Sequence, residues 1–143
     1  MGTPRLRVIL PTEVEALWPE ISSRLLAAED FSQGEFLISD LLPMVQRQEA
    51  FIAAMDNKTE LDLIVVFQIM TFPRKKVLHV LAMGGQGFDV IMKSCWPELE
   101  KLALFLGTSA IRAAVRPSMQ RYARRVAPEA VPVYTVIERS IGA

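Results

Sequence analysis

Most of the fold follows from residues 61–116, LDLIVVFQIMTFPRKKVLHVLAMGGQGFDVIMKSCWPELEKLALFLGTSAIRAAVR. This stretch opens with a run rich in β-branched and aromatic residues that continues to Phe72, and a similar run covers residues 76–83. Both runs have the composition of strands. The turn Pro73-Arg74-Lys75 joins them directly, so we expect the two strands to be antiparallel.

The second half of this stretch predicts a parallel unit. Apolar residues at helical spacing run to Leu106, with Asp89 as the expected N-terminal cap and Gly107 as the expected stop. Residues 110–116, AIRAAVR, then have the pattern of a strand. A strand, a crossover helix and a further strand form a parallel βαβ unit.

The residues upstream predict two helices and one more strand. A helix is expected from about residue 13 to residue 28, with Thr12 as its cap and Pro19 inside the pattern. A shorter helix is expected from Ser39 or Asp40 to about residue 48. The apolar run at residues 50–55 predicts a strand that joins the antiparallel meander.

Downstream, residues 118–126, SMQRYARRV, predict a short basic helix, and residues 133–139, VYTVIER, predict a final strand. The expected order is therefore helix, helix, three strands, helix, strand, helix, strand. This is an α/β fold with a mixed central sheet and about four helices. We find no repeat and no linker, so we expect one domain over residues 1–143.

Composition limits the expected partners. The chain has 16 Lys and Arg residues against 16 Asp and Glu residues, so its overall charge does not predict a nucleic acid or an anionic membrane as partner. The first third is acidic and the last third is basic, which is typical of solvated faces and also suits head-to-tail contact between copies. One cysteine excludes an internal disulfide and fits a reducing compartment. No secretory signal and no membrane span is predicted.

The predicted order, and the second half of the chain in particular, resembles the GNAT (N-acetyltransferase) superfamily, and within it small GNAT-like proteins of tailed bacteriophages. In that group a "YPRK"-like turn leads into a strand ending in paired glycines, followed by a "LE.WA...G" helix and a strand ending in "GR.GW". The matching positions are residues 72–78, Gly84, Gly85, Gly87, residues 99–103, Gly107, residues 111–116, Arg121 and residues 133–139.

The chain departs from that pattern at several positions. The "GR.GW" signature is Val115-Arg116-Pro117-Ser118-Met119 here, so the arginine is kept and the aromatic residue and second glycine are not. A "Gly-Tyr" pair before the last strand is also absent, and residues 128–132, PEAVP, stand in that region.

The resemblance implies a site for acetyl-CoA, whose pyrophosphate GNAT enzymes bind at the start of the crossover helix. A helix N-terminus binds anions when no side chain blocks it. Counting from Gln86, the position that requires glycine is occupied by Asp89, and no Arg or Lys lies between Met83 and Lys93. We therefore expect a glycine-rich turn with an acidic cap and no cofactor.

If acetyl-CoA does bind, the same resemblance implies which residues hold it. The strand before Gly84 would separate from the next parallel strand, and the backbone from Leu81 to Met83 would pair with the pantetheine arm. Gln86 and Gly87 would meet the phosphates.

Two residues are candidates for acid–base catalysis. His79 is the one histidine and lies in the middle of a predicted strand; it is either a general base or a packed structural residue. Tyr134 is either the general acid that GNAT enzymes often place near the last helix and strand or an ordinary strand aromatic. Cys95 is interpreted as a small buried residue, and no metal site is predicted.

The sequence favours a protein without catalytic activity: a structural or accessory component of a phage virion, in the tail–portal or internal core region. Its partners would be other phage proteins or copies of itself, and its location the virion or the host cytoplasm. The alternative is an acetyl-CoA-dependent N-acetyltransferase of unknown substrate. A small regulatory protein that binds a host protein is a third possibility. Direct nucleic-acid binding is not expected, since the basic run contains one aromatic residue, Tyr122, and no stacking platform.

Overall fold

The computed structural model describes residues 5–29, 35–57, 60–85, 88–115, 124–125 and 127–142, with the backbone alone for residues 27–29, 56–57, 60–61 and 88–94. These residues form five strands and three helices. In chain order they are β1 (Leu6–Ile9), α1 (Pro11–Glu29), α2 (Ile38–Gln46), β2 (Phe51–Asn57), β3 (Glu60–Phe72), β4 (Lys75–Gly85), α3 (Phe88–Phe105) and β5 (Ala110–Ala113).

The strands form one mixed sheet in the order β1-β2-β3-β4-β5. Strands β1 to β4 pair antiparallel with their neighbours, and β5 pairs parallel with β4. Helix α3 connects the parallel pair. The predicted antiparallel meander and the predicted parallel βαβ unit are both confirmed.

The first strand was missing from the predicted order, which began with a helix. Strand β1 has four residues, LRVI, and among them Ile9 alone is buried. So short a run has no distinctive period. It forms because the free edge of β2 offers it a ladder of hydrogen bonds, from Leu6 opposite Met55 to Ile9 opposite Ile52.

Two apolar cores cover the two faces of the sheet. Helices α1 and α2 pack on one face, where Ile64 and Val66 of β3 are buried. Helix α3 packs on the other, where Val65 and Phe67 of β3 are buried. Because alternate residues of a strand face opposite sides, a strand covered on both faces is an apolar run without polar alternation. This is why residues 63–67, LIVVF, are all buried.

The helix starts differ from the predicted ones by one to a few residues. Helix α1 begins at Pro11, and the Leu10 carbonyl accepts hydrogen bonds from the backbone N–H groups of Glu13 and Val14. Thr12 therefore lies inside the helix. Proline suits the first helical position because its missing N–H would have no partner there.

In α2, Asp40 lies in the first turn and accepts a hydrogen bond from the Leu37 N–H, 2.8 Å away. Asp40 is thus not the cap residue itself. In α3 the predicted cap, Asp89, is the second residue of the helix, which begins at Phe88. A cap residue has a non-helical backbone, whereas position 89 is already helical.

Helix α3 stops as predicted, at Gly107. The Gly107 N–H donates to the Leu104 carbonyl and the Thr108 N–H donates to the Ala103 carbonyl, each at 3.0 Å. Gly107 has a φ of 77°, which is in the left-handed region. This is the Schellman arrangement that ends many helices, and it needs a residue without a Cβ at that position.

The predicted final strand is wrong: residues 131–142 are exposed and form no strand. A strand exists through hydrogen bonds to a neighbour, and these residues have no sheet partner in the described part of the chain. The predicted helix at 118–126 lies outside the described residues apart from positions 124 and 125, which are helical. Strand β5 ends at Ala113, earlier than predicted.

Candidate functional site

An opening in the sheet separates the second half of β4 from β5. The parallel pairing runs from Val77 opposite Ala110 to Val80 opposite Ala113 and ends there. Strand β4 continues to Gly85, so among the described residues Leu81–Gly85 has a neighbour on the β3 side alone. Successive residues of a strand direct their N–H and C=O groups to opposite sides. Alternate residues of Leu81–Gly85 therefore present both groups to the free edge.

A β-bulge lies at the same place. Phe67 and Val66 are consecutive in β3 and lie opposite Val80 and Ala82, so Leu81 is the extra residue of β4. A bulge bends its strand and increases the local twist. The bend coincides with the end of the β5 pairing, and together they make an open backbone edge beside a strand that remains held by β3.

The predicted cofactor-binding residues Leu81 and Met83 both lie on this open stretch. The side chain of Leu81 packs against the core under α1 and α2, and that of Met83 against the core under α3. Their backbone, rather than their side chains, is therefore the part available at the edge. The other two predicted residues, Gln86 and Gly87, lie outside the described residues.

The two glycines at the end of β4 have a steric role. A Cβ at Gly84 would overlap the carbonyl oxygen of Arg24 in α1, and a Cβ at Gly85 would overlap the carbonyl oxygen of Asp62 in β3. Both neighbours are backbone atoms, which do not yield easily. The pair lets α1 and β3 approach the end of β4, three residues before α3 begins.

His79 lies in β4, two residues before the bulge. Leu78 and Val80 belong to the core under α3, so His79 lies on the opposite face, the side of α1 and α2. It is half-buried, and its Nδ1 atom is buried without a hydrogen-bond partner among the described residues. Its Cα partner in β3 is Gln68, whose side-chain amide donates to the Glu49 carbonyl at 3.2 Å.

The surroundings of His79 favour its neutral form. Burial lowers the pKa of the imidazole, the positive charge of Arg112 lowers it further, and the negative charge of Glu35 opposes them. Desolvation and a like charge both penalise the imidazolium ion. A neutral imidazole is the form that can accept a proton.

Arg112 of β5 lies directly opposite His79 in the parallel register. Its guanidinium carbon is 5.4 Å from the centre of the Phe72 ring and 5.4 Å from that of the Tyr134 ring, and Nη1 donates to the Tyr134 hydroxyl at 3.3 Å. These are cation–π distances. The two predicted catalytic residues thus share Arg112 as a neighbour: His79 lies opposite it in the strand register, and Tyr134 contacts its guanidinium.

No role was predicted for Arg112, which is one of several basic residues in the last third of the chain. A signal did exist: in AIRAAVR the arginine alternates with Ile111, which packs in the core under α3. Arg112 therefore had to face the side of the sheet on which His79 lies. The register that places them opposite each other comes from the tertiary structure alone.

Cys95 is buried in α3, against the core under that helix. Burial, aided by the charge of Glu98, raises the pKa of its thiol to about 12. A thiol that is so seldom ionised is a poor nucleophile. The buried position of Cys95 confirms its interpretation as a small buried residue.

The described residues hold no group of three or more His, Cys, Asp and Glu side chains placed to bind a metal ion. Among the helices of the described part of the chain, none is both long and apolar enough to cross a membrane.

The chain matches no family model, and no curated protein is similar to it. Solved structures do match over nearly the whole chain. A possible acetyltransferase from Clostridium difficile 630 has a TM-score of 0.70 at 7% identity, covering 99% of this chain and 100% of its own. The ribosomal-protein-alanine N-acetyltransferase from Brucella melitensis biovar Abortus 2308 has a TM-score of 0.66 at 13% identity, covering 97% and 99%.

A GNAT family acetyltransferase from Staphylococcus aureus has a TM-score of 0.65 at 13% identity, covering 98% of this chain and 100% of its own. Together these structures confirm the GNAT-like fold that the sequence resemblance implied. At such identities the likeness concerns the fold, because one fold supports many functions. None of the three is described as a bacteriophage protein.

Proposed function

We propose that this chain is an N-acetyltransferase that binds the pantetheine arm of acetyl-CoA along the free edge of β4. The observation that carries the proposal is the coincidence of the bulge at Leu81 with the end of the β4–β5 pairing at Val80 and Ala113. A pantetheine arm contains two amide groups, and an exposed strand edge offers the matching row of donors and acceptors. The edge fits the arm as it would fit an added strand.

The remaining parts of acetyl-CoA would follow the direction of β4. Its phosphates would lie toward Gln86 and Gly87, at the start of α3, an 18-residue helix whose N-terminus favours negative charge. The acidic Asp89 in the first turn opposes this, so we expect phosphate binding to be weak and the pantetheine contacts to supply most of the affinity.

The acid–base roles follow from the groups around Arg112. The bound thioester supplies an acetyl group that is transferred to a nitrogen atom. His79, held neutral by burial, accepts the proton that the amine loses as its nitrogen bonds to the acetyl carbon. The Tyr134 hydroxyl donates a proton to the sulfur as the carbon–sulfur bond breaks, and the adjacent Arg112 guanidinium stabilises the phenolate left behind.

Calorimetry of the chain with acetyl-CoA tests binding directly. We expect a measurable heat and a rise in the melting temperature at millimolar acetyl-CoA. His79→Gln is the matched catalytic variant: it should retain binding and lose about 100-fold or more in kcat for acetyl transfer to an amine. The absence of both heat and thermal shift at millimolar ligand would refute the proposal.

Asp89→Asn tests the two opposed effects at the start of α3, the attraction of phosphates by the helix N-terminus and their repulsion by the Asp89 carboxylate. Removing one negative charge beside the bound phosphates should tighten acetyl-CoA about tenfold, since about 1.4 kcal/mol corresponds to that factor. Pantetheine without phosphates is the control ligand, and its affinity should not change. An unchanged affinity for acetyl-CoA would mean that the carboxylate does not face the phosphates.

The second candidate function is the one that the sequence favoured, a non-catalytic component of a phage virion. Two observations support it: the acidic Asp89 at the position of the family's glycine, and the apolar exposed residues between 131 and 141, which suit contact with other phage proteins or with a second copy. Mass spectrometry of purified virions tests it. A chain found in host cytoplasm and absent from virions would exclude this function.

A further inference from the structure

Arg112 carries a positive charge that no carboxylate in the described part of the chain neutralises. Its contacts there are two ring faces and one hydroxyl. The side chain is half-buried on a sheet face, where an unpaired charge has lost part of its hydration. A guanidinium has five N–H donors, and one hydrogen bond, to Tyr134, is accounted for.

The position of Arg112 ties this charge to the proposed reaction. It faces His79 across the β4–β5 pair, one residue before that pairing ends and the free edge begins. Arg112 and His79 therefore lie on the same face of the sheet, close to the end of the β4–β5 pairing. The Phe72 and Tyr134 rings lie beside the guanidinium, whose planar set of N–H donors suits a planar anion.

A second charge that acts on His79 has the opposite sign. Glu35 is exposed, and its negative charge acts on the imidazole. The imidazole thus lies in the fields of both a cation and an anion. A ligand that carries one negative and one positive group matches this arrangement better than a phosphate, which carries negative charge alone.

We infer that the acceptor is a free amino acid, whose carboxylate binds Arg112 through paired hydrogen bonds and whose amino group lies at His79. The inference rests on the acetyl transfer proposed above and names its acceptor. Guanidinium and carboxylate are matched in plane and spacing, and such pairs are among the stronger hydrogen-bonded contacts. Glu35 attracts the ammonium form of the substrate. One ammonium proton passes to solvent before the transfer, and His79 takes the second as the nitrogen bonds to the acetyl carbon.

The test compares amino acids with the amines that lack their carboxylate, using acetyl-CoA as donor. Phenylalanine against phenethylamine is one such pair, and leucine against isoamylamine is another. We expect at least one amino acid to be acetylated with a kcat/KM about 10-fold or more above its amine. Arg112→Gln should raise KM for the amino acid about 10- to 100-fold and leave KM for the amine unchanged.

Arg112→Lys keeps the charge and loses the planar fork, so its KM for the amino acid should lie between those of the wild type and Arg112→Gln. The calorimetric affinity for acetyl-CoA should stay the same in both variants, which shows that they are folded. In Arg112→Gln, kcat should fall for both acceptors because the Tyr134 hydroxyl loses its hydrogen-bond donor. A KM that rises equally for the amino acid and the amine, or for neither, would overturn the inference.

Direct binding separates this inference from the proposed reaction. Ligand-observed NMR with the free amino acid, without acetyl-CoA, should detect binding to the wild type that Arg112→Gln abolishes. If no acetyl transfer occurs yet this binding is present, the reaction is refuted and the amino-acid site stands. If acetyl transfer occurs and no amino acid is bound or preferred, or if inorganic phosphate displaces the ligand and binds more tightly, the site is not one for amino acids.

Discussion

Strand β3 and the segment from 131 to 142 have similar compositions and opposite structures. Both are rich in valine and isoleucine, and the sequence predicted a strand in each. In β3 the residues from Leu63 to Val66 are completely buried, with β2 and β4 as neighbours and a core on each face. In the segment, Val136 is 78% exposed and Ile137 is 90% exposed.

The difference shows that β-propensity describes how well a side chain fits a pleated, half-buried surface, rather than a preference of the backbone. The backbone groups of β3 form hydrogen bonds to a strand on each edge, and its side chains are buried in a core on each face. The segment touches the rest of the described chain through Tyr134, which lies against Arg112. Paired substitutions, one in a packed position and one in the exposed segment, compare how much each region contributes to the free energy of unfolding.

The largest effect is expected from Ile64→Ala in β3. Ile64 is completely buried in the core under α1 and α2, so the substitution removes buried methyl groups and leaves a cavity. We expect a loss of about 2–5 kcal/mol in the free energy of unfolding, measured by urea denaturation.

Ile137→Ala is the matched substitution in the segment, and it should change the free energy of unfolding by less than about 0.5 kcal/mol. A loss at Ile137 similar to that at Ile64 would break the contrast, because it would mean that the segment is packed in solution.

The next effect concerns the place where α1 meets the end of β4. Gly84→Ala would place a Cβ against the Arg24 carbonyl, so α1 must move away from the sheet. We expect a loss of about 1–3 kcal/mol in the free energy of unfolding, as for other overpacked sites. Ala82→Gly, in the same strand, is a control for the change of backbone entropy and should cost about 1 kcal/mol or less. A neutral Gly84→Ala would mean that the helix lies further from β4.

A pair of glycines with positive φ gives a smaller effect. Gly107 has a φ of 77° and Gly142 a φ of 95°, and a Cβ at either would meet nothing within 4 Å. Strain is therefore the sole cost. Gly107→Ala should lose about 1–2 kcal/mol, because the end of α3 holds that conformation.

Gly142→Ala should cost nothing measurable, since an exposed segment without a sheet partner can change its φ freely. Thermal denaturation of both variants checks this pair. A loss at Gly142 would indicate that the segment is held in place.

The smallest effect is the pH dependence that His79 contributes. Its pKa is lowered in the folded state, so the unfolded chain takes up the proton first as the pH falls. This contribution to stability is complete above the ordinary pKa of about 6.5 and decreases as the pH drops through that value toward the folded pKa. The wild type should therefore lose more stability than His79→Gln between about pH 8 and pH 5.5 in urea denaturation. Parallel pH profiles of the two proteins would place His79 in a more hydrated environment.

Much of the fold could be predicted from residues 61–116, because each element there carries a local signal. The β-branched run before Phe72, the turn after it and the glycine after α3 each restrict the backbone by their own chemistry. Strand β1 could not be predicted, since it exists through pairing with β2. The false strand at 133–139 is the converse case, in which the local signal is present and the described residues offer no strand to pair with it.

The predicted site residues stay predictions. Leu81 and Met83 lie on an open strand edge, and His79 and Tyr134 both neighbour Arg112. Arg112 was missed because its significance depends on the register between two strands that are separated by a helix. The bulge at Leu81 was missed for the same reason, since it is defined by counting residues against β3.

The antiparallel meander, the parallel βαβ unit and the end of α3 follow from local sequence signals, because hydrophobic period, turn chemistry and a left-handed glycine act within a few residues of the chain. The pairing of each strand, the point where β4 leaves β5 and the charged side chain opposite His79 follow from tertiary contacts. Those features depend on contacts between residues far apart in the chain, and the free energy of such contacts cannot be inferred from the sequence of any one segment.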